Sequence, residues 1–308
     1  MEYIKNTLDF HVDQPSVITF GKFDGLHRGH EFLMDRQKEE SSINGYKRIV
    51  FTFDIPPKTK VLGDASKVIT TNDEKQYIFE KDGVDYLIEC PFTKEDMCME
   101  PEEFVSMIVS RLNVKCIVVG DDFRFGHNRA GDHELLLKLA PRYGYELIVV
   151  DKLKDNGRDI SSTYIREEVA RGNIKKANSL LGYPYFIMGR VVHGKQLGRT
   201  LGIPTINILP EAEKILPPFG VYASKVNVSD KWYLGITNIG RKPTIEGENP
   251  VGVETYIIDF SQDVYDHVVT VELYDFLRPE KKFDSIEELK EQISGDIVKV
   301  IKYYGNVT

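Results

Sequence analysis

The pattern of apolar runs changes once along the chain, near Tyr183-Pro184, and this change constrains the fold more than any other feature. Before it, apolar runs typical of buried strands alternate with segments of helical periodicity. That alternation indicates an α/β domain, a parallel sheet with helices on both faces. After it, short apolar strands follow one another with only turns between them. The sequence therefore predicts two domains, residues 1–183 and residues 184–308.

Five apolar runs in the first domain predict strands, at residues 17–20, 48–53, 84–89, 116–119 and 146–150. Helices are predicted from residue 31, after Pro101, over residues 133–139 and over residues 173–181. The helix after Pro101 has a proline and two acids in its first turn, which suits a helix start. Ligands of such sheets bind at the carboxyl ends of strands, so the turns after the strands are the expected sites.

Six apolar runs in the second domain also predict strands, at residues 186–192, 205–208, 221–228, 232–237, 253–260 and 268–276. Because no helical pattern separates them, they predict a small six-stranded antiparallel β-barrel. Residues 285–288 match a capping box that opens a last helix. We expect this helix to close the barrel with an apolar stripe made of Ile286, Leu289, Ile293, Ile297 and Ile301.

Composition narrows the partners that the chain can have. Its 308 residues include 40 Lys and Arg against 48 Asp and Glu, and the net charge of −8 argues against a nucleic-acid partner. The three cysteines, Cys90, Cys98 and Cys116, form no C-x-x-C pair, so a reducing cytoplasm is expected rather than a disulfide framework or a zinc site. No signal-peptide pattern or long apolar run indicates a membrane. A small anionic ligand can still be held by a local cluster of donors, so a small-molecule partner is expected, and weak homo-oligomerisation is compatible with the sequence.

Residues 21–30, G-K-F-D-G-L-H-R-G-H, lie between an apolar strand and a helix start. Such a turn favours glycine, which tolerates left-handed backbone and close approach. His27 and His30 are three residues apart, so both imidazoles face one side of the helix, beside its unpaired N–H groups. Gly29 leaves room for a phosphate. The pair is a candidate site that stabilises charge on a polyphosphate; helix capping or surface packing is the alternative.

The segment G-D-D-F-R-F-G at residues 120–126 follows the strand predicted at residues 116–119. Asp122 and Arg124 can face a nucleotide at the end of that strand. The spacing alone favours a plainer interpretation, in which the two side chains form a charged pair within the turn.

The segment I-S-S-T-Y-I-R at residues 160–166 has three hydroxyl side chains before a helix, Ser161, Ser162 and Thr163. They can cap the helix or donate hydrogen bonds to a phosphate. Arg166 lies one turn further along, where its guanidinium can reach the same anion. A plain N-cap followed by a surface arginine explains the residues equally well.

The second domain contains G-R-T-L-G-I-P-T-I-N at residues 198–207, a loop that enters a strand. Residues i and i+2 of a strand share a face, so Thr205 and Asn207 point together while Ile206 points into the core. Two neutral oxygens on one face suit Mg²⁺, which takes its other ligands from water and substrate phosphates. The alternative is a cross-strand hydrogen bond between the Thr and Asn side chains.

Glu254 lies in the otherwise apolar strand V-E-T-Y-I-I-D-F at residues 253–260. A glutamate buried there without a partner would be costly, so it is a candidate general base that takes a proton from an alcohol. The alternative is an outward-facing charge on an edge strand. Alternation places Glu254 with Tyr256 and Ile258, which favours an inward orientation.

The three motifs of the first domain, in this order and spacing, resemble the adenylyltransferase module of the prokaryotic bifunctional riboflavin kinase/FMN adenylyltransferases, the FAD synthetases. The resemblance implies a nucleotidyltransferase-type sheet that joins FMN to the AMP part of ATP with release of pyrophosphate. It implies that His27 and His30 are catalytic and hold the ATP phosphates. Many relatives have Asn where Asp122 stands. The ATP-binding residues that the resemblance implies are Gly21, Phe23, Asp24, Gly29, Asp122, Arg124, Ser161, Ser162, Thr163 and Arg166.

The second domain is similar to riboflavin kinases in three segments: the loop at residues 198–207, the strand at residues 253–260 and L-R-P-E-K-K-F at residues 277–283. The family's loop typically ends P-T-A-N, with Ala in place of the Ile here. The similarity implies that Glu254 activates the riboflavin 5′-hydroxyl and that Arg278 lies on the flavin side. It implies that Thr205 and Asn207 hold Mg²⁺ and ATP, with further ATP contacts from Lys195, Gly198, Arg199 and Gly202.

Taken together, the resemblances cover essentially the whole chain and predict a cytoplasmic enzyme. Its cofactor would be Mg²⁺, its co-substrate ATP, and its flavins riboflavin, FMN and FAD. Two alternatives stay open. One is an enzyme in which a single half works, and the other is a non-catalytic flavin-binding or regulatory protein.

Overall fold

The computed structural model describes residues 1–7, 9–54, 67–91, 99–194, 202–241 and 251–305. By their contacts they divide into two units, Met1–Ser162 and Thr163–Thr308. The boundary that the sequence predicts after residue 183 stays a prediction. Four residues singled out from the sequence lie outside the described residues: Cys98, Lys195, Gly198 and Arg199.

Parallel strands form the centre of the first unit. Its strands, in chain order, are β1 (Glu2–Lys5), β2 (Ser16–Phe20), β3 (Lys47–Asp54), β4 (Tyr86–Pro91), β5 (Val114–Gly120), β6 (Arg124–Phe125), β7 (Gly131–Asp132), β8 (Glu146–Val150), β9 (Lys154–Asp155) and β10 (Arg158–Asp159). Six of them form one sheet in the order β1-β4-β3-β2-β5-β8, with every neighbouring pair parallel. The predicted parallel sheet is confirmed, and β1 extends it at one edge.

Helices connect these strands, as the alternation predicts. They are α1 (Arg28–Asn44), α2 (Asn72–Lys81), α3 (Pro101–Leu112) and α4 (His133–Tyr143), and a further helix, α5 (Ser162–Arg171), begins at the last residue of this unit. The helix α2 has no counterpart among the predicted helices. It begins with a capping box, in which the Thr71 hydroxyl accepts from the Glu74 N–H and the Glu74 carboxylate accepts from the Thr71 N–H. The start of α3 at Pro101 agrees with the prediction.

The strand β2 marks the point where the sheet reverses its order. All five of its residues are buried, and β3 and β5 lie on either side of it. The chain runs from β2 to β3 on one side and later returns to β5 on the other. Such a reversal leaves a crevice at the carboxyl ends of the two central strands, where α/β sheets bind ligands. The turn after β2 leads to His27, and the turn after β5 contains Asp122.

Aromatic rings pack the core beside this crevice. Phe20, the last residue of β2, packs against Phe51 of β3 and Phe104 of α3 with ring centroids 5.7 Å apart. Phe123, in the turn after β5, stacks on Phe20 at 5.5 Å. The ends of β2 and β5 are therefore joined by packed rings as well as by backbone hydrogen bonds, which holds the two turns in a defined arrangement.

The second unit contains an antiparallel barrel. Its further elements are α6 (Ile174–Leu181), β11 (Phe186–Arg190), β12 (Thr205–Ile208), β13 (Gly220–Val228), β14 (Lys231–Arg241), β15 (Val251–Ile257), β16 (Val268–Arg278) and α7 (Ile286–Gly305). The strand order is β11-β16-β13-β14-β15-β12, with every neighbouring pair antiparallel. A bridge between Val191 and Ile208 joins the two end strands. The predicted six-stranded barrel is confirmed.

The helix α6 packs on this barrel. Asn178 of α6 donates a hydrogen bond to the carbonyl oxygen of Leu273 in β16, at 2.9 Å. The Asn178 side-chain oxygen accepts from the N–H of Tyr185 at 2.8 Å. The Asn178 side chain thus joins α6 to β16 and to the residue that precedes β11.

The last helix, α7, is present as predicted, but its predicted apolar stripe is wrong at both ends. Ile286 is 47% exposed and Ile301 is 51% exposed. The residues that contact the barrel are Ile293, Ile297, Val300 and Tyr304. Their spacing follows the 3.6-residue period of the α-helix, whereas a strict four-residue repeat drifts off one face by about 40° per step.

The predicted capping box at the start of α7 forms only in part. The Ser285 hydroxyl accepts from the Glu288 N–H at 3.1 Å, as predicted. The Glu288 carboxylate, however, accepts from the N–H of Asp284 at 3.1 Å instead of that of Ser285. It also pairs with Lys281 at 2.6 Å, so the helix start is joined to the chain that leaves β16.

Two valines on α7 test the orientation of this helix. Val300 is fully buried and Val298 is 65% exposed. We expect Val300→Ala to lower the free energy of unfolding by about 2 kcal/mol, because it removes buried methyl groups and leaves a cavity. Val298→Ala is the control and should change it by less than about 0.5 kcal/mol. Trp232 of β14, the single tryptophan, reports the urea unfolding of this unit by fluorescence. Equal effects of the two variants would contradict the orientation.

Candidate active sites

The turn between β2 and α1 has an unusual backbone. Phe23, Gly25 and Leu26 have positive φ angles of 47°, 88° and 30°, and such angles are costly for residues other than glycine. The ring of Phe23 is fully buried and packs edge-on against Phe79 of α2 at 5.5 Å. A Cβ on Gly21 would lie 3.0 Å from that ring. Burial of the Phe23 ring thus anchors the turn and explains the glycine before it.

His27 and His30 lie one above the other at the start of α1. Their ring centroids are 3.8 Å apart and their planes differ by 18°. His27 is the N-cap residue of α1. A Cβ on Gly29 would come within 3.1 Å of His27 Nδ1, so glycine is needed between the two rings. The structure therefore brings together three of the residues singled out from the sequence.

Both imidazoles are uncharged at neutral pH. Burial lowers the pKa of His27 from 6.5 to about 4. Burial, and then the nearby His27, hold the pKa of His30 well below 6.5. Among the described residues, the buried Nδ1 atoms of both rings have no hydrogen-bond partner. Buried polar atoms are normally paired, so the two unpaired nitrogens are unusual, and the rings lie at the positive end of a helix dipole, which favours an anionic ligand.

Asp24 holds this turn in place. Its Oδ1 accepts from the N–H groups of Ile69 and Thr70, at 2.7 and 3.2 Å. The Thr70 hydroxyl accepts from the N–H of Gly25 at 3.0 Å. The carbonyl oxygen of Asp24 accepts from the Ser162 hydroxyl at 2.7 Å. Asp24 thus connects the turn to the segment before α2 and to the start of α5.

Asp122, in the turn after β5, and Arg124, the first residue of β6, do not pair with each other. Asp122 Oδ2 is 2.9 Å from Lys152 Nζ, and Lys152 follows the neighbouring strand β8. The same Nζ is 3.6 Å from Asp159. The hydrogen bond to Asp122 raises the pKa of Lys152. Arg124 is exposed and donates to the carbonyl oxygen of Phe123 at 2.8 Å. A charged pair within the turn is therefore wrong.

The hydroxyl residues of the third motif occupy the start of α5. Ser161 precedes the helix and is half-buried. Ser162 bonds Asp24, so its hydroxyl belongs to the turn of the histidines. The Thr163 hydroxyl accepts from Arg166 Nη2 at 3.2 Å. Thr163 and Arg166 are therefore paired with each other within the helix.

Thr205, Asn207 and Glu254 meet on one face of the barrel. The Thr205 hydroxyl donates to Glu254 Oε1 at 2.5 Å, and Asn207 lies directly opposite Glu254 in the register of β12 and β15. Asn207 is 7% exposed, and a Cβ on Gly194 would come within 2.8 Å of its Nδ2. Gly202, in the loop before β12, has a φ of 77°. A Thr–Asn cross-strand bond is wrong, since both residues belong to β12.

The oxygens on this face fit Mg²⁺. A hydroxyl, an amide oxygen and a carboxylate are hard donors, which this cation prefers over nitrogen or sulfur. Within the described ranges, no cluster of three His, Cys, Asp or Glu side chains could hold a metal. A partial set of protein oxygens matches a magnesium ion that also binds substrate phosphates.

Glu254 lies neither on an edge strand nor in the barrel interior. The strand β15 has β14 and β12 as neighbours, so the edge-strand alternative is wrong. Val253, Thr255 and Ile257 are at most 3% exposed and face the interior. Glu254 alternates with them and shares the outer face with Tyr256, which packs with the cluster under α7. The inward orientation is therefore wrong, because the helix, and not the barrel interior, buries this face.

One transverse row of residues connects the candidate site across five strands. Asn207, Glu254, Asn238, Val221 and Arg278 each lie opposite the next, on β12, β15, β14, β13 and β16. Opposite residues of antiparallel strands have their side chains on the same face. Arg278 lies beside an irregularity in the register of β13 and β16, and its bond to Asp296 of α7 places it on this face. Neighbouring strands are about 4.8 Å apart, so the backbone of Arg278 is about 14 Å from that of Glu254 along the sheet. The row therefore has the oxygens at one end and a guanidinium at the other.

Sequence reasoning missed one residue of this row, Asn238, and two residues beside it, Glu280 and Asp296. Asn238 Nδ2 donates to Glu280 Oε1 at 3.2 Å, and Arg278 Nε donates to Asp296 Oδ2 at 2.8 Å. No local pattern marks Asn238, because its place beside Glu254 depends on the register of β14 with β15. Asp296 does have a signal, since it is a carboxylate within the apolar face of α7.

Comparisons with known proteins match both halves of the chain. Residues 9–164 match the FAD synthetase family model, and residues 181–304 match the riboflavin kinase family model. The bifunctional riboflavin kinase/FMN adenylyltransferase of Escherichia coli K12 is 37% identical over 292 residues, which cover 94% of this chain and 93% of that protein. The enzyme of the same description from Bacillus subtilis 168 is 36% identical over 298 residues, which cover 95% and 93%.

One solved structure is similar to this chain over nearly its whole length. It is described as a macrolide-efflux protein from Streptococcus pneumoniae, is 32% identical, and superimposes with a TM-score of 0.82 over 96% of each chain. In the part of the present chain that the structure describes, no helix is long and apolar enough to cross a membrane. The similarity to this solved structure supports the fold described above.

The lowered pKa of His27 predicts a pH dependence of stability. Between pH 6.5 and about 4, the unfolded chain binds a proton at His27 that the folded protein does not bind, so stability falls as the pH falls through this window. From pH 7 to pH 5 we expect the wild type to lose about 2 kcal/mol more than His27→Asn. Urea unfolding at both pH values, followed by circular dichroism, measures this difference. Equal losses would mean that His27 is not buried in its neutral form.

Proposed function

Because the chain belongs to the bifunctional riboflavin kinase/FMN adenylyltransferase family, we propose that each reaction uses one of the two sites above. The N-terminal half adenylylates FMN to FAD, and the C-terminal half phosphorylates riboflavin to FMN. The two family matches argue against a single working half and against a non-catalytic flavin-binding protein. The observation that carries the residue assignment is the meeting of Thr205, Asn207 and Glu254 on one face of the barrel.

In the kinase reaction, the oxygen of the riboflavin 5′-hydroxyl attacks the γ-phosphorus of ATP and ADP leaves. Glu254 takes the hydroxyl proton. Its Oε1 is held by Thr205, while Oε2 has no partner among the described residues and is free to accept that proton. Thr205 and Asn207 orient the phosphates. When bound, Mg²⁺ offsets the charge of the phosphates and of the leaving group.

In the adenylyltransferase reaction, a phosphate oxygen of FMN attacks the α-phosphorus of ATP and pyrophosphate leaves. His27 and His30 donate hydrogen bonds to the phosphates as neutral rings, from the positive end of the α1 dipole. Because the rings are buried, these donors stabilise the developing charge more than they would in water. Positioning and charge stabilisation suffice for this transfer, so no covalent protein intermediate is required.

The other assignments complete the proposal. We assign ATP contacts in the first half to Gly21, Phe23, Asp24, Gly29, Asp122, Arg124, Ser161, Ser162, Thr163 and Arg166. Those in the second half are Lys195, Gly198, Arg199 and Gly202, and Arg278 lies on the flavin side. A cytoplasmic location is supported by the buried thiols of Cys90 and Cys116. The domain boundary after residue 183 and weak homo-oligomerisation belong to the same proposal.

The two sites are predicted to fail separately. Glu254→Gln keeps the shape of the side chain and an oxygen for Thr205, but it cannot take a proton. We expect it to lower the rate of FMN formation from riboflavin at least 100-fold and to leave FAD formation from FMN within about twofold. Glu272→Gln, at another half-buried glutamate of the barrel, is the control and should keep both rates within about threefold.

The reverse pattern is expected for the histidines. In His27→Ala, His30→Ala the conversion of FMN to FAD should fall at least 100-fold, because two phosphate donors are lost. FMN formation from riboflavin should stay within about twofold. Assays started separately from riboflavin and from FMN distinguish the two reactions. Comparable loss of both reactions in either variant would contradict the assignment of one site to each.

A further inference from the structure

Asp296 of α7 is a buried charge that the chemistry of Glu254 does not explain. Its side chain is fully buried. Its Oδ2 accepts from Arg278 Nε at 2.8 Å, and its Oδ1 accepts from Gln292 Nε2 at 3.1 Å and Lys299 Nζ at 3.3 Å. A buried ion pair contributes little net stability compared with apolar residues of similar volume. A contribution to stability therefore does not by itself explain why a carboxylate is found at this buried position.

Arg278 is held on two of its three nitrogens. Nε donates to Asp296, and Nη1 donates to the carbonyl oxygen of Pro279 at 3.2 Å. The guanidinium carbon also lies 5.8 Å from the centre of the Phe283 ring. Within the described ranges, Nη2 has no partner. A planar guanidinium fixed in this way is an oriented donor that loses little further freedom when it binds a ligand.

The segment that begins at Arg278 lies beside the transverse row. Arg278 ends the row that contains Glu254. Two residues later, Glu280 accepts from Asn238, the residue opposite Glu254. The phosphate-side oxygens of Thr205 and Asn207 are at the other end of the row, on β12. An acceptor alcohol that reaches Glu254 and extends towards Asn238 therefore approaches the segment that begins at Arg278.

We propose that Asp296 is a positioning residue of the kinase site, which orients the Arg278 guanidinium so that its unpaired Nη2 donates to the acceptor substrate. This inference rests on the proposed role of the Glu254 face. Asp296 itself does not touch substrate. It acts through Arg278, on the acceptor side of the row and not on the nucleotide side. Its removal should therefore weaken the binding of riboflavin and spare the phosphoryl transfer step.

Steady-state kinetics of Asp296→Asn test this role. The amide keeps the shape of the side chain but not the charge that holds Arg278. We expect the KM for riboflavin to rise about tenfold, while kcat and the KM for ATP stay within about twofold. Lys299→Gln is the matched control, since it removes another partner of the same carboxylate on the exposed side. It should leave all three constants within about twofold.

A double-mutant cycle separates positioning from simple packing. If Asp296 acts through Arg278, the pair Arg278→Met, Asp296→Asn should have the same KM for riboflavin as Arg278→Met alone, within about twofold. An unchanged riboflavin KM in Asp296→Asn would overturn the proposal. So would equal rises in the KM values of riboflavin and ATP, or effects of the two substitutions that multiply in the double variant.

Further measurements distinguish failure of this proposal from misfolding of the variant and from failure of the proposed function. FAD formation from FMN reports on the first half and should be unchanged in every variant. If Asp296→Asn does not fold, Asp296→Glu retains the charge but shifts the carboxylate by one methylene, and the riboflavin KM should rise about threefold; no rise would overturn the proposal. A wild-type chain that does not phosphorylate riboflavin would instead refute the proposed function.

Discussion

The register of β15 against its neighbours is the constraint on which the kinase site depends. It places Glu254 opposite Asn207 and on the face that α7 covers. Because side chains alternate along a strand, a slip of one residue would turn Glu254 into the interior. Three buried hydroxyls oppose such a slip: Thr237 bonds Ser224 at 2.8 Å and Thr255 at 2.9 Å. These hydrogen bonds between hydroxyls inside the barrel therefore help to fix the side chain of Glu254 on its outer face.

The first unit solves a similar problem with a turn. Parallel strands place the end of β2 at the reversal of the sheet, but the orientation of the histidines depends on the backbone that follows. Buried Phe23 and the hydrogen bonds of Asp24 hold that backbone in its left-handed conformation. The two sites then differ in electrostatics. The turn presents neutral donors, His27 and His30, to an anion, whereas the barrel presents oxygens that suit a cation.

Local periodicity made much of this predictable. The alternation of strands and helices indicated the sheet, and the two-residue period of a strand placed Thr205 and Asn207 on one face. Non-local features were not accessible in this way. Asn238 joins the site through register, and Asp296 joins it through the rotation of α7 about its axis, which are set by tertiary packing. The stripe that included Ile301 failed for a different, local reason, because a four-residue repeat follows the 3.6-residue helical period for only two or three turns.

The proposed function requires two independent nucleotide sites, one in each half of the chain. Equilibrium dialysis with a non-hydrolysable ATP analogue and Mg²⁺ measures this directly, as the number of nucleotides bound per chain at saturation. We expect two for the wild type, and one after both histidines of the first half are replaced by alanine. A wild-type value of one at saturation, or an unchanged value of two in that variant, would contradict the presence of two independent sites.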